Sequence, residues 1–401
     1  MLTTAEAREA ILAAMPDFPA DAVLLDAANE RVLRQVVRAE RDQPPFHRVM
    51  MDGIALSFRD FSRGRREFPV QATQAAGDPV LALQPGNCIE IMTGASLPEN
   101  ADCIVPVERI SIKNRIAFIE NDYAAKSGQF IHPRASDHAA GTDLLAPGKR
   151  ISPMDIAIIA SCGLTEVEVS SLPVIRVIST GNELVSPGTP IEPHQVRLSN
   201  GPAIQAMLRE RGYAHCDHDH LLDDRDELRR RIGVHLADAD VLILSGGVSM
   251  GKADFVPGVL AELGVNVVFH KISQRPGKPM WFGIGPNREA VFALPGNPVS
   301  ALVCCRQYVI AALEAASAAT PRPPEFAVLA SDVTFEPDLT CFQPVRLVSS
   351  AGGQVLAMPV LTNTSGDFTA LSASDGYVEL AREQSHFPAG TPVFLHRWRS
   401  V

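Results

Sequence analysis

The 401-residue chain has no uninterrupted apolar run near the ~18 residues that a membrane-spanning helix needs, so no such helix is expected. Its N-terminus lacks a basic segment followed by an apolar one, so no signal peptide is expected. The seven cysteines include no C-x-x-C spacing, and their odd number indicates neither a zinc ribbon nor a disulfide framework. Reduced thiols in a cytoplasmic setting are the simpler expectation. Excess positive charge is missing too. A net charge of -10 and a pI near 5.6 argue against a general nucleic-acid or membrane-surface binder. A local basic pocket for an anion is still compatible with that balance. There is no Gly-x-Ser-x-Gly elbow and no Cys paired with His in a catalytic motif, so covalent catalysis is not supported. Internal repeats and low-complexity tracts are absent as well.

What is present is a globular composition, 46% apolar and 20% charged, in a chain long enough for two to four domains. The densest information lies at 240–300. An apolar run at 241–244 suits a strand buried on both faces, and Ser245, Gly246, Gly247 and Ser249 follow it. Glycines there let backbone N–H groups approach a ligand. An apolar run at 290–294 meets Pro295, Gly296, Asn297 and Pro298 in the same way, and Arg275, Lys278 and Pro279 lie in a third loop between them.

From about residue 173, strands and helices alternate, which implies a mostly parallel sheet covered on both faces. Ligands should bind at the carboxyl ends of its strands. Those ends carry Thr180, Gly181 and Glu183, then Asp223 and Asp224, then the glycine turns. Together with Asp254, these carboxylates suit Mg²⁺, and Lys278 with the glycine turns suits a phosphate or another oxyanion. Helix N-termini also attract acidic residues for dipole reasons alone. The run His215 to His220 would put Cys216, His218 and His220 on one strand face, in line rather than converging, so a polar or edge strand is preferred there to a zinc site.

Before this unit, the capping-box spacing of Thr3 and Glu6 predicts a helix to Ala14, and a second helix is expected over about 21–37. Residues 59–145 look β-rich, with short strands separated by Gly, Pro and Asn, and a helix is expected over 152–162. Asp52-Gly53 fits a hairpin turn or, alternatively, a carboxylate presented by a rigid loop. The segment 128–149 holds His132, Arg134, Asp137 and His138, which fits a functional loop or a solvated connector. A Pro-rich linker at 321–324 precedes about six short strands with no convincing helix.

Six short motifs in order carry a resemblance: Met-Asp-Gly-Ile-Ala at 51–55, Ile-Met-Thr-Gly-Ala at 91–95, Ser-Thr-Gly-Asn-Glu-Leu at 179–184, Ser-Gly-Gly-Val-Ser at 245–249 with Asp254, Pro-Gly-Lys-Pro at 276–279 and Leu-Pro-Gly-Asn-Pro-Val-Ser at 294–300. The chain resembles the molybdopterin molybdenumtransferase family over essentially its whole length. That resemblance implies four domains: an N-terminal helical and linking domain at 1–42 and 138–172, and a β-rich domain at 43–137. A doubly wound α/β domain similar to molybdopterin adenylyltransferase would span 173–320, and a small barrel-like β-domain 325–401. It implies Mg²⁺-assisted insertion of molybdate into adenylylated molybdopterin with release of AMP. It also implies a homodimer that shares its site between subunits, with molybdopterin adenylyltransferase and acceptor molybdoenzymes as further partners. By motif, Asp52, Thr93, Asp137, Glu183, Asp223 and Asp254 would be catalytic, and Glu183, Asp223 and Asp254 would hold the metal. Thr180, Gly181, Ser245, Gly246, Gly247, Ser249 and 295–298 would bind the pterin nucleotide. Arg275, Lys278, Pro279, Ser300, Arg346 and Ser365 would bind molybdate. Departures occur at His47 and Arg48, at Ala135 and Ser136, and at Arg275, where a second lysine is common. An adenylyltransferase and a non-catalytic scaffold are the rival expectations.

Overall fold

The computed structural model describes residues 1–248, 255–362 and 364–399. The chain forms two compact units. One comprises Met1–Gln35, Pro147–Ser152 and Glu166–Val401, and the other Val36–Ala146 and Pro153–Thr165.

The larger unit contains the α/β sheet. Its strands run in the order Cys216–Leu221, Ile175–Thr180, Val241–Ser245, Ala290–Leu294, Trp281–Ile284 and Asn266–His270. The first four are mutually parallel and the last two antiparallel, so the expected mostly parallel sheet has an antiparallel edge. Side chains alternate across it as a pleated strand requires. Val241 and Ile243 enter a core with Ile204, Leu208 and Leu313, whereas Leu242 and Leu244 enter another with Leu228, Ile232 and Val259. Helices therefore cover both faces.

The segment Pro298–Ala316 is apolar and long enough to cross a bilayer by length and composition, but it is mostly buried inside the protein. Cys304, Cys305, Tyr308 and Val309 lie in the sheet's core, so it is a core helix. Thr3 and Glu6 form the expected capping box of Thr4–Ala14, which packs Ala7 and Ile11 into the same core.

The helix expected over 21–37 does not form. Ala20–Leu24 is a strand paired antiparallel with Glu166–Ser170. After one 3-10 turn at Leu25–Ala27, Glu30 takes φ +64, and Val32 and Leu33 bridge Arg150 and Val169. Of the apolar residues at helical spacing here, Ala28 and Val32 are buried while Leu24 is exposed.

Five strands of the C-terminal region close a ring. Thr340–Ser349 pairs with Val355–Pro359 and Gly376–Leu380; Glu325–Leu329 and Pro392–Arg397 complete the circuit. This small barrel leaves no free edge among these five strands. One short helix, Phe368–Ser372, interrupts the expected all-β pattern; Asp367 caps it by accepting from the Ala370 N–H.

The smaller unit has a six-stranded sheet in the order Cys103–Pro106, Gly53–Leu56, Cys88–Ile91, Glu67–Gln74, Ile116–Ile119 and Ile110–Lys113. Every residue of Gly53–Leu56 is buried between its two neighbours. It does not pair with Arg48–Val49, so Asp52-Gly53 is not a hairpin turn; it delivers the chain into a central strand.

Candidate functional site

The four parallel strands end in register. Ser179 lies opposite Ser245, Ser245 opposite Leu294, and Thr180 opposite Leu221. The turns after them therefore share one edge, as expected for Thr180, Gly181, Ser245, Gly246, Gly247 and 295–298. Gly246 and Gly247 have φ +104 and +65. A Cβ on Gly246 would stand 2.5 Å from the Thr180 carbonyl oxygen, and one on Gly247 3.0 Å from Thr180 Oγ1. Only glycine permits both the dihedrals and the approach. Ser249 and Asp254 lie outside the described residues.

Asn200, the first residue of the helix Asn200–Arg209, ties this edge together. Its Nδ2 donates to Ser245 Oγ at 2.9 Å and to the Gly296 carbonyl at 2.8 Å. The carbonyl can only accept, which fixes the amide orientation. Asn200 Oδ1 and Thr180 Oγ1 are both buried without a hydrogen-bond partner in the structure. The available signal was its position, directly after Ser199 at a helix start on the same sheet edge.

The carboxylates divide by role. Asp224 accepts from the Glu227 N–H at 2.8 Å and caps the helix Arg225–Asp238, so it serves the fold. Glu183 lies exposed, with its carboxylate against Gly181. The Asp223 N–H donates to Asn182 Oδ1 at 3.0 Å, which joins the two strand-end loops bearing Glu183 and Asp223. Farther back on the same sheet, His218 meets Ser179 Oγ at 3.0 Å and His220 meets the Gly181 carbonyl at 2.9 Å. Cys216 is buried in the core. These three side chains thus have separate surroundings along an edge strand.

The loop bearing Lys278 folds onto the helix that starts at Pro298. A Cβ on Gly277 would lie 2.4 Å from Cys304 Sγ, one helical turn beyond the buried Ser300. Gln274, unremarked in sequence, anchors the loop. Its fully buried amide donates to the Pro276 carbonyl at 3.0 Å and accepts from the Tyr308 hydroxyl. Gln274–Arg275 also pairs in parallel with Thr340–Cys341 of the barrel. Arg275 and Lys278 are exposed, and Pro279 is half-buried. Asn297 Nδ2 donates to Ser365 Oγ at 2.7 Å, and the Val299 N–H donates to the Ser365 carbonyl at 3.0 Å. Ser365 is thereby joined to the 295–298 turn. Arg346 is exposed on the barrel wall opposite Met358.

The smaller unit holds the remaining residues. Asp52 Oδ1 accepts the Thr93 backbone N–H at 2.6 Å and the Thr93 hydroxyl at 2.7 Å. These bonds, the backbone one first, hold the carboxyl below the usual carboxylate range. A cavity of about 310 Å³ borders Asp52, Gly53, Glu90, Met92 and Val107. Asp137 Oδ1 meets His132 Nε2 at 2.9 Å, and Arg48 meets His132 Nδ1 at 3.1 Å. A guanidinium only donates, so Nδ1 accepts and the Nε2–H donates to Asp137. His132 therefore holds Asp137 and Arg48 in one chain of contacts, a role the sequence did not reveal. The Gly94 N–H donates to the Val49 carbonyl at 2.9 Å, so the Thr93 turn runs beside the Arg48 strand.

A doubly wound domain with glycine turns on one edge, a closed barrel and a β-domain presenting carboxylates define the MoeA-like multidomain architecture. Three family models match in order: "MoeA N-terminal region (domain I and II)" at 2–163, "Probable molybdopterin binding domain" at 176–315 and "MoeA C-terminal region (domain IV)" at 327–397. A molybdopterin molybdenumtransferase of Synechocystis is 40% identical over 99% of this chain and 100% of its own. One from Haemophilus influenzae is 31% identical over 98% of both chains. A molybdopterin biosynthesis MoeA protein from Pyrococcus horikoshii superposes with a TM-score of 0.82 at 27% identity, covering 100% of both chains. The chain belongs to the molybdopterin molybdenumtransferase family, a family of transferases in molybdenum cofactor biosynthesis.

Proposed function

We propose that this transferase inserts molybdate into adenylylated molybdopterin and releases AMP. The observation that carries this reading is the pair of buried, unpartnered atoms Thr180 Oγ1 and Asn200 Oδ1 beside the glycine turns. Buried polar atoms in a folded chain nearly always have partners. An edge that withholds two from its own fold suits a ligand rich in polar atoms. Asn200 Oδ1 accepts only, so its partner must be a donor such as an exocyclic amine or ring N–H of a pterin nucleotide. Gly181, Ser245, Gly246, Gly247 and the 295–298 turn would cradle the rest, with Ser249 in the same expected set.

Molybdate, as substrate, would meet the cationic loop of Arg275 and Lys278, with Pro279, Ser300, Ser365 and Arg346 contributing. The donor chemistry of Glu183 and Asp223 fits Mg²⁺, which usually takes one or two carboxylates and completes its shell with water and phosphate oxygens. Asp254 belongs to the same expected set. When bound, the ion would neutralise charge at the phosphate that is cleaved. Asp52, Thr93 and Asp137 would complete the site of a partner copy in a homodimer, on the strength of the family resemblance. Functional contacts with molybdopterin adenylyltransferase and with acceptor molybdoenzymes belong to the same reading. Seven buried, free cysteines favour a reducing cytoplasmic location.

The test is incubation with adenylylated molybdopterin, Mg²⁺ and molybdate, following AMP. Molybdate-dependent AMP release is expected. Production of adenylylated pterin from ATP instead would assign the step before it, and neither activity would sink the enzymatic reading.

A further inference from the structure

A second polar site lies in the larger unit, sharing no residue with the glycine-turn edge. The N-terminal chain at Arg31 crosses the end of the Glu166–Ser170 strand, where the Ser170 N–H donates to the Val32 carbonyl at 2.8 Å. The crossing leaves a cavity of about 70 Å³ lined by Arg31, Arg150 and Arg211, by one acidic residue, Glu30, and by Ser170 and Tyr213, among others. Three arginines meet there. Arg31 donates to the Ser170 carbonyl at 2.7 Å, Arg150 to the Glu30 carbonyl at 2.7 Å and to the Tyr213 side chain, and Arg211 to the Met207 carbonyl at 3.1 Å and to that of Trp398. Among the described residues, no carboxylate forms a salt bridge with any of the three.

Two atoms are left over. Arg31 Nε and Ser170 Oγ are buried with no partner in the structure, and Ser170 is only 3% exposed. Arg211 is 7% exposed. Burial holds the Arg31 and Arg211 guanidiniums below their ordinary range, and Arg306 adds to this at Arg211. Asp21 acts in the opposite sense on Arg31, as do Glu314 and Glu210 on Arg211, from beyond pairing distance. A buried cation that lacks a counter-charge is costly. Water could satisfy Ser170 Oγ and Arg31 Nε but would bring no charge.

We infer that this cavity is a binding site for a small tetrahedral oxyanion of the phosphate or sulfate class. The volume matches the share of about two waters, which excludes a nucleotide and admits a compact anion. Guanidinium donors with a hydroxyl are the chemistry that such an anion takes. This inference stands apart from the molybdate-transfer reading, and its crystallographic readout is local to the cavity.

The experiment uses the full chain crystallised without phosphate or sulfate and soaked in sodium selenate. A selenium anomalous peak in contact with Arg31 Nε and Ser170 Oγ is expected. In solution, phosphate should raise the Tm above a chloride control of equal ionic strength. Arg31→Gln or Ser170→Ala should raise the apparent phosphate Kd, fitted from the concentration dependence of that shift, about tenfold, the loss of one charge-assisted hydrogen bond. Ser170→Ala changes little volume and keeps the experiment decisive if Arg31→Gln fails to fold. Waters only in the cavity of soaked crystals would overturn the inference. So would a selenium peak of equal occupancy in the Ser170→Ala and Arg31→Gln crystals, which would mark an adventitious ion only. An equal response to acetate would overturn the tetrahedral assignment.

Discussion

Asp52 and Thr93, 41 residues apart, are joined by two hydrogen bonds that converge on a single carboxylate oxygen, Asp52 Oδ1. A carboxyl held below its unfolded value favours the fold fully above that value, and the benefit disappears as pH falls through the folded value. Thr93→Ala removes the hydroxyl bond and should move the Asp52 carboxyl back toward the ordinary range, which carbon-detected NMR titration would read. Asp52→Asn should abolish molybdate-dependent AMP release while leaving the circular dichroism spectrum unchanged. Full turnover in that variant would remove Asp52 from the site.

Gly53 should tolerate no side chain. It has φ +155, and a Cβ would stand 2.0 Å from the Val105 carbonyl oxygen within the sheet. Gly53→Ala should cost ~3 kcal/mol or more by urea unfolding, from backbone strain and overpacking together. A loss under about 1 kcal/mol would mean that the strand pairing here is misjudged.

Asn200→Ala should weaken binding of the pterin nucleotide by about tenfold or more, because both the loop tie and the free acceptor vanish. Molybdate affinity should change much less. Equal losses for both ligands would place Asn200 in general support of the fold.

Lys278→Ala should raise the KM for molybdate with a smaller effect on pterin binding, since it removes an exposed cation from the loop. Gln274→Leu should act on the same parameter indirectly. It leaves the buried Tyr308 hydroxyl without its acceptor, at a cost of ~1–3 kcal/mol in unfolding experiments. If Lys278→Ala alters only pterin affinity, the division of labour among the loops is wrong.

The sequence disclosed local patterns well and long-range partners poorly. Apolar runs at 241–244 and 290–294 named their strands, because burial on both faces leaves few polar choices. The capping box at Thr3 and Glu6 was equally plain. The 21–37 segment misled because apolar residues fell at helical spacing in an extended chain that buries only some of them; only Glu30 at positive φ and pairing with Glu166–Ser170 settle it. Trp281–Ile284 passed unnoticed as a strand, since four residues beside a Pro-Gly loop carry too little periodicity. Glycine turns announced the α/β edge. The contacts of Asn200, Gln274 and His132 were not legible, because each acts through partners distant in sequence: Gly296, Tyr308 and Arg48.

The short Gln274–Arg275 strand has an architectural consequence. It is hydrogen-bonded to the barrel at Thr340–Cys341, while the neighbouring Gly277 rests on Cys304 of the α/β core. The lysine loop is thus clamped between two modules, and neither owns it alone. An α/β fragment cut at 173–320 would carry every residue of that loop yet lose one jaw of the clamp. The geometry of the Lys278 loop is therefore a property of the splice between modules, which a domain swap would break without changing a single loop residue.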